Sequence, residues 1–217
     1  MRMFALLSAP MLAIPALLAL TLALPLRADG PDAAGGWKHV DEDDGITLWK
    51  HEVPGQSVPG FRGQVVIDTG FEPIVKAIED TSKHTEWMYR CAESTLLKQV
   101  GDSEYLLYNR TDSPWPVSDR DVVLRSVKET KADGSEILMR FQNVTDASKP
   151  PVNGVVRMPK LRGYYKLTKV EGGKTQVTYE VEADVGGRLP DWIVRSVVKD
   201  MPYNTLDRLR ARVKPKK

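Results

Sequence analysis

The sequence is poor in cysteine and histidine, the residues from which most metal and redox sites are built. Cys91 is the only cysteine in 217 residues, and the three histidines are scattered as His39, His51 and His84. A single cysteine cannot form an internal disulfide, a cysteine-based zinc site or an iron–sulfur cluster. Phosphate-loop, dinucleotide-binding, Gly-x-Ser-x-Gly and HExxH motifs are all missing. We therefore expect no metal and no cofactor.

The chain also lacks an excess of positive charge. It has 31 lysines and arginines against 29 acidic residues, and two of the cations, Arg2 and Arg27, lie in the first 28 residues, which contain no acid. The remainder is therefore electrically balanced. A nucleic-acid-binding protein normally carries surplus cations that neutralise phosphates, so we expect no nucleic-acid partner. With 41% hydrophobic and 28% charged residues, the composition is that of a globular domain with one sizeable core.

The longest apolar stretch lies at residues 1–26 and contains one cation near its start and no acid. Followed by Arg27 and Ala28, it is typical of a secretory signal peptide that is cleaved after Ala28. The alternative is an uncleaved membrane anchor, because about 20 apolar residues span a bilayer. Prolines within the stretch weaken that alternative without excluding it. A signal peptide at 1–28 predicts an exported protein, placed in the periplasm.

The rest of the chain divides into a tether at 29–36, one domain at 37–213 and a basic tail at 214–217. Alternating or β-branched segments predict strands at 46–53, 61–68, 93–100, 104–111, 120–130, 135–143, 160–170 and 174–184. Helical spacing at 71–88 predicts a helix that continues as a short turn. Pro190 opens a long amphipathic last helix. We expect an α+β fold in which that helix packs on an antiparallel sheet.

Three ordered strings resemble the START lipid-transfer domains of the steroidogenic-regulator type. They are Trp37 with DDGITLWKHEVPG, then SPWPVSDRD at 113–121, then LRGYYKLTKVEGGKTQVTYEVEADVGGRLPDWIV at 161–194. The resemblance covers residue 37 to about residue 213. It implies a helix-grip fold of the Bet v1-like superfamily, in which a curved antiparallel sheet wraps around a long C-terminal α-helix and encloses one lipid. The expected partners are a lipid ligand and, transiently, a membrane, and the expected state is a monomer.

Side-chain parity in the strands separates a dry face from a wet one. In residues 175–183, Val177 and Tyr179 share one face, and Glu180 lies on the other. The same parity in neighbouring strands, with the apolar side of the last helix, gives the candidate ligand-binding residues: Tyr105, Leu107, Asn109, Val122, Leu124, Ser126, Tyr165, Leu167, Val177, Tyr179, Val181, Ile193, Val194, Val197, Val198 and Met201. A filled core is the alternative reading of this pattern, and the resemblance favours a cavity.

The polarity of the expected cavity follows partly from the resemblance. Relatives that bury an acid and an arginine on adjacent strands carry them where this chain has Leu107 and Ser126. A buried ion pair is therefore not expected, and parity places Arg110 and Arg125 on the solvent face. Hydroxyl groups and one amide without a fixed cation suit a sterol, hopanoid, carotenoid or diacylglycerol-like lipid. A phosphate left unpaired in such a pocket would cost several kcal/mol.

An enzymatic reading stays open, because the resemblance includes polyketide cyclases that use the same scaffold. His84 with Glu86 is a candidate acid–base pair, with a solvated helix end as the alternative. Cys91 is a candidate reactive thiol, with an idle thiol as the alternative. Because titratable residues do not converge in the sequence, we expect no catalytic residues and a protein that binds and shuttles lipid without chemistry. A sensor or assembly partner with a filled cavity is a third reading.

Several motif residues have structural explanations. The Pro-Trp-Pro string at 114–116 predicts a rigid approach to a strand, and Arg120 with Asp121 predicts an ion pair. Gly186 and Gly187 are expected at positive φ where the last strand turns into the last helix.

An enclosed ligand needs a gate. The expected gate consists of the loops 147–154 and 185–192, whose prolines and glycines suit loops. Leu189 and Trp192, beside Arg188, are the expected points of membrane contact.

Overall fold

A computed structural model of the chain describes residues 36–214. The predicted signal peptide, residues 29–35 of the tether and residues 215–217 of the tail lie outside the described residues. The strands are β1 Lys38–Asp43, β2 Ile46–His51, β3 Gly60–Ile67, β4 Cys91–Gly101, β5 Glu104–Thr111, β6 Arg120–Thr130, β7 Glu136–Asn143, β8 Val156–Arg157, β9 Lys160–Val170 and β10 Lys174–Asp184. The α-helices are α1 Phe71–Glu79, α2 His84–Trp87 and α3 Asp191–Val213, and short 3₁₀ turns lie at Thr81–Lys83 and Glu171–Gly173.

The strands form one ten-stranded sheet in the order β1-β2-β3-β10-β9-β7-β6-β5-β4, with β8 beside β6. The neighbours along this path pair antiparallel, and the short β6–β8 pairing is parallel. Because β3 pairs with β10, the early and late parts of the chain meet within the sheet. The sheet is curved and is accompanied by the long C-terminal helix, which confirms the predicted α+β helix-grip class.

Strand β10 shows why the alternation predicted a dry and a wet face. Val177 is fully buried and Val181 almost so. On the other face, the carboxylate of Glu180 accepts a hydrogen bond of 2.7 Å from Arg62, and that of Glu182 accepts one of 2.8 Å from Arg162. The apolar face therefore lies toward α3, and the charged face is stabilised by cross-strand ion pairs.

The predicted strands all form, with ends that differ by a few residues from the sequence segments. The helix predicted at 71–88 is α1, followed by the 3₁₀ turn and the single turn of α2. Strands β1 and β8 were not predicted. β1 is a largely exposed edge strand, KHVDED, without an apolar alternation, and β8 has only two residues.

The C-terminal half of α3 packs directly on the sheet. Leu206 and Leu209 are fully buried among residues that include Leu48 of β2 and Val65 of β3. Gly63 makes this close approach possible, because a Cβ atom at that position would lie 2.7 Å from Cδ1 of Leu206. The close contact at this end leaves the N-terminal half of α3 to cover the remaining concave face of the sheet.

Candidate functional site

An apolar cavity lies between the concave face of the sheet and the N-terminal half of α3. Its volume is about 180 Å³. It extends from Met139 and Thr205, near the packed core, to the end of the sheet where β5 ends and β6 begins. At that end the cavity is bordered by Pro114 of the β5–β6 loop and Leu189 of the β10–α3 loop. We call this end of the cavity, bordered by these two loops and the first turns of α3, the mouth.

Most of the predicted ligand-binding residues line this cavity. From the strands they are Tyr105, Leu107, Asn109, Val122, Leu124, Ser126, Tyr165, Tyr179 and Val181, and from α3 they are Ile193, Val197 and Met201. They meet here because β5, β6, β9 and β10 present residues of the same parity to the concave face.

The other predicted residues do not line the cavity. Leu167 and Val177 are fully buried in the core cluster that also contains Leu206, at the filled end of the sheet. Val198 is buried as well, and Val194 packs against the cluster formed by Leu107 and its neighbours. Leu167 and Val177 do lie on the apolar face that strand parity predicted. Like Val194 and Val198, however, they pack against other parts of the protein.

Aromatic rings form much of the cavity wall. The rings of Tyr165 and Tyr179 stack with centroids 4.4 Å apart and an interplanar angle of 7°. Phe61 packs against Tyr179 at 5.4 Å, and Phe141 lies 6.0 Å from Tyr165. The sequence reasoning missed Phe61 and Phe141, although both lie in predicted strands, and extending the parity to β3 and β7 would have found them.

The interior polar groups of the cavity include neutral hydroxyls and an amide. The hydroxyl of Tyr165 is buried without a hydrogen-bond partner among the described residues. Burial raises the pKa of Tyr179 to about 12, and burial also raises the pKa values of Tyr105 and Tyr165, so these phenols stay protonated at neutral pH. Tyr105 and Ser126 are opposite each other in the β5–β6 register. The cavity wall therefore offers hydrogen bonds but no negative charge at this depth.

Arginine residues stand near the mouth. Arg125 lies on the outer face as predicted, where it contacts Glu104 at 2.7 Å. Arg110, also predicted on the solvent face, lies at the rim of the cavity, where its guanidinium is 3.8 Å from Glu93 and 3.5 Å from Asp119. Arg120 also lines the cavity, and its Nε donates to the carbonyl of Val185 at 3.4 Å. The expectation that the pocket has no fixed cation is thus wrong at the mouth, where the chain turns from β5 into β6.

His84 is buried, and the expected alternative of a solvated helix end is wrong. Its Nε2 donates to the carbonyl of Ile78 at 2.8 Å, and its Nδ1 lies 3.1 Å from the hydroxyl of Ser94. Burial lowers the pKa of His84. Glu86 contacts Lys83 and Arg212 instead, so the proposed His84–Glu86 acid–base pair does not form.

Cys91 borders the cavity without the surroundings of a nucleophile. Burial raises the pKa of its thiol to about 11, so the thiol is protonated at neutral pH. Its sulfur lies 3.5 Å from the carbonyl of Glu93. Within residues 36–214, His, Cys, Asp and Glu side chains do not gather into a group that could hold a metal ion.

The motif residues have mostly structural surroundings. Arg120 and Asp121 do not pair, because adjacent residues of a strand point to opposite faces. Asp121 is fully buried and binds Arg157 at 2.7 Å and the hydroxyl of Tyr108 at 3.1 Å. Trp115 is 90% exposed and neither packs in the core nor lines the cavity.

The loops predicted as a gate differ in their relation to the cavity. The 185–192 loop contributes Val185 and Leu189 to the wall, and Gly186 and Gly187 adopt φ values of 72° and 79°, as predicted. The 147–154 loop contributes none of the lining residues. It is held by Arg157, which donates to the carbonyls of Lys149 and Pro150 at 3.3 Å. The β5–β6 loop takes its place at the mouth.

The sequence and fold are similar to those of lipid-transfer proteins. The profile of the START domain family matches residues 26–217. An uncharacterized protein of Pseudomonas aeruginosa is 37% identical over 182 residues, which are 84% of this chain and 89% of that protein. The crystal structure of a STAR-related lipid transfer protein from Xanthomonas axonopodis aligns with a TM-score of 0.74 at 33% identity, covering 83% of this chain and 99% of that one. Human StAR-related lipid transfer protein 5 shares the fold, with a TM-score of 0.75 at 20% identity over 85% of this chain and 88% of its own.

Proposed function

The chain belongs to the START domain family, and we propose that it binds one weakly polar lipid in the cavity under α3 and shuttles it between membranes without altering it. The observation that carries this proposal is the cavity itself, which combines an apolar wall with a few neutral hydrogen-bonding groups. Ligand sites in proteins commonly have this composition. The similarity to the Xanthomonas STAR-related lipid transfer protein supports the same function.

The proposed lipid class is a neutral lipid with a small head, such as a sterol, a hopanoid or a diacylglycerol-like molecule. The cavity wall offers the buried Tyr165 hydroxyl and, closer to the mouth, the Asn109 amide, which can satisfy a hydroxyl or a carbonyl group. Charged heads would be desolvated there without a partner, which is unfavourable. Arg120 at the mouth could pair with a charged lipid head. Anionic lipids are therefore the competing ligand class.

We also propose that the protein catalyses no reaction on the bound lipid, in contrast to the cyclase alternative. His84 directs one ring nitrogen to Ile78 and the other to Ser94, so the protein itself occupies both nitrogens. The Cys91 thiol is kept protonated by burial. Both surroundings favour structural roles for these residues.

The proposed site of action is the periplasm, and the proposed state is a monomer. The compartment rests on the apolar stretch at 1–26 followed by Arg27 and Ala28. No helix within residues 36–214 combines the length and hydropathy that crossing a membrane requires. Transient membrane contact is proposed at the mouth, where Trp115 and Trp192 are 90% and 43% exposed beside lining residues. Tryptophan favours the interface between membrane and water.

Mass spectrometry of organic extracts tests this proposal. The protein is purified from its native host without detergent, and its bound lipids are compared with those of a sample denatured and stripped before extraction. We expect one neutral lipid species at close to one molecule per chain. Recovery of phospholipids or fatty acids would contradict the proposed lipid class, and recovery of no lipid in any preparation would contradict the shuttle.

A further inference from the structure

Three polar side chains form a continuous hydrogen-bonded chain that ends in the cavity wall. They are His84 of α2, Ser94 of β4 and Asn109 of β5. Ser94 and Asn109 are directly opposite each other in the β4–β5 register, and His84 and Asn109 both line the cavity. The sequence reasoning proposed Asn109 as a ligand contact, but it did not connect it with His84 or Ser94.

The number of hydrogen atoms on these three side chains determines which group donates and which accepts in each hydrogen bond. The Ile78 carbonyl can only accept, so Nε2 of His84 carries the hydrogen in the bond of 2.8 Å between them. In a neutral imidazole, Nδ1 is then an acceptor. The Ser94 hydroxyl lies 3.1 Å from Nδ1 and 3.1 Å from Oδ1 of Asn109, and it has a single hydrogen for these two acceptors.

A rotation of the Asn109 amide resolves this conflict. Turning the amide by 180° about its Cβ–Cγ bond exchanges oxygen and nitrogen without changing the shape of the side chain. Ser94 then donates to Nδ1 of His84 and accepts from the amide nitrogen of Asn109. The amide oxygen then replaces the amide nitrogen, which before the rotation donates to the sulfur of Met88 at 3.7 Å, and Met88 also lines the cavity. A thioether cannot donate a hydrogen bond, so this oxygen is left to accept from another molecule.

We propose that His84 and Ser94 hold the Asn109 amide with its oxygen toward the cavity, where it accepts a hydrogen bond from a hydroxyl group of the bound lipid. This inference rests on the proposed function and narrows the ligand to lipids whose polar end carries a hydroxyl donor. Asn109 is the contact residue, and Ser94 and His84 are positioning residues.

The surroundings of His84 favour the neutral imidazole that this arrangement needs. Burial of the ring lowers its pKa, and the positive charge of Arg212 on α3 acts in the same direction. The negative charge of Asp80 and the hydrogen bond to Ile78 act against it, but they are weaker than burial. The ring also lies edge-on to Trp87, with centroids 5.6 Å apart.

Protonation of His84 reverses the direction of the hydrogen bonds between His84, Ser94 and Asn109. Nδ1–H then donates to Ser94, the Ser94 hydroxyl donates to the Asn109 oxygen, and the amide nitrogen faces the cavity. A site that presents a donor can bond to the oxygen of an alcohol and to that of an ether alike. Acid is therefore expected to remove the preference of the cavity for alcohols over ethers.

The test uses two probes that differ in one hydrogen-bond donor, octadecan-1-ol and octadecyl methyl ether. Purified protein is loaded at pH 7.5 from phosphatidylcholine vesicles containing both probes in equal amounts, repurified, and its bound probes are quantified by gas chromatography. We expect the alcohol to be enriched about 2- to 12-fold, the range that one net hydrogen bond provides. In Asn109→Leu, which keeps the size of the side chain, the ratio should fall to about one.

Ser94→Ala provides a second variant that leaves Asn109 in place and should lower the ratio. Thr95→Ala, at the exposed neighbouring position of β4, is the matched control and should keep the wild-type ratio. Equal binding of both probes by the wild type, or an unchanged ratio in Asn109→Leu, would overturn this inference and leave lipid binding intact. If the wild type took up neither probe, the proposed function would fail for single-chain lipids, and this inference would fall with it.

The pH profile separates positioning from a purely structural role. The wild-type ratio should decline as the pH falls toward 5, and His84→Gln, which cannot gain a proton, should show a ratio that does not vary with pH. A parallel decline in His84→Gln would show that His84 does not control the amide.

Discussion

Individual buried polar residues define how this protein responds to pH. His84 is buried and its pKa is lowered in the folded state, so the folded protein binds fewer protons than the unfolded chain over the interval between the two pKa values. The free energy of unfolding should therefore fall as the pH drops below about 6.5, the ordinary histidine value. The loss is at most about 1.4 kcal/mol for each pH unit that separates the two pKa values.

Urea unfolding followed by tryptophan fluorescence between pH 5 and pH 8 measures this dependence. His84→Gln should flatten the decline, because the substituted side chain does not titrate. An equally steep decline in His84→Gln would assign the pH dependence to other groups.

Asp121 is a fully buried acidic residue, and its charge is paired within the fold. Its fully buried carboxylate binds Arg157 and Tyr108, and removing it would leave Arg157 without its partner. Asp121→Ala should lower the free energy of unfolding by about 3 kcal/mol, typical of a broken buried pair. Glu129→Ala removes an exposed pair with Arg140 and serves as the control, with an expected effect below about 1 kcal/mol. Similar costs for the two variants in chemical denaturation would contradict this account.

At the scale of secondary structure elements, the contact between α3 and β3 closes one end of the molecule. A methyl group at Gly63 would collide with Leu206 and press on Pro202, 3.3 Å away. Gly63→Ala should therefore cost about 1–3 kcal/mol, the usual effect of overpacking. Gly101→Ala is the control, because a Cβ atom there has no neighbour within 4 Å. Thermal unfolding of both variants checks the difference, and equal melting temperatures would show that α3 does not depend on this close approach.

Strand alternation and helical spacing were sufficient to predict the sheet and α3, because an element that is buried on one face carries apolar residues at a regular spacing in the sequence. They could not predict β1, whose residues are mostly exposed, or which end of the dry face is filled. Leu167 and Tyr165 have the same parity in β9, yet only Tyr165 reaches the cavity. That distinction depends on where α3 touches the sheet. The link from His84 to Asn109 likewise depends on the β4–β5 register and on α2, neither of which a sequence pattern determines.

At the scale of the whole molecule, the cavity is small for its proposed ligand. Its volume of about 180 Å³ exceeds the roughly 150 Å³ of an engineered cavity that binds benzene. Typical ligand pockets measure about 300–1,000 Å³. Uptake of a whole lipid therefore requires the β5–β6 loop, the β10–α3 loop or the start of α3 to move outward.

Membrane contact at these loops should control the rate of exchange. Replacing both Trp115 and Trp192 with alanine should slow lipid transfer between vesicles several-fold, because two exposed interfacial side chains beside the mouth are removed. The amount of lipid bound at equilibrium should stay the same, since neither residue lines the cavity. Val100→Ala is the control, because Val100 is another exposed apolar residue and lies near the end of β4, beside the start of β5 and away from the mouth. Unchanged transfer in the double variant would place the membrane contact elsewhere.

The central claim is that one lipid occupies the space between the sheet and α3, and native mass spectrometry of protein loaded with a neutral lipid measures this most directly. Val197 lines the cavity, so Val197→Trp should fill it, and Arg195→Trp places the same ring on an exposed position of the same helix. We predict one bound lipid per chain for the wild type and for Arg195→Trp, and a folded Val197→Trp protein with almost none. Full occupancy in folded Val197→Trp would contradict the claim.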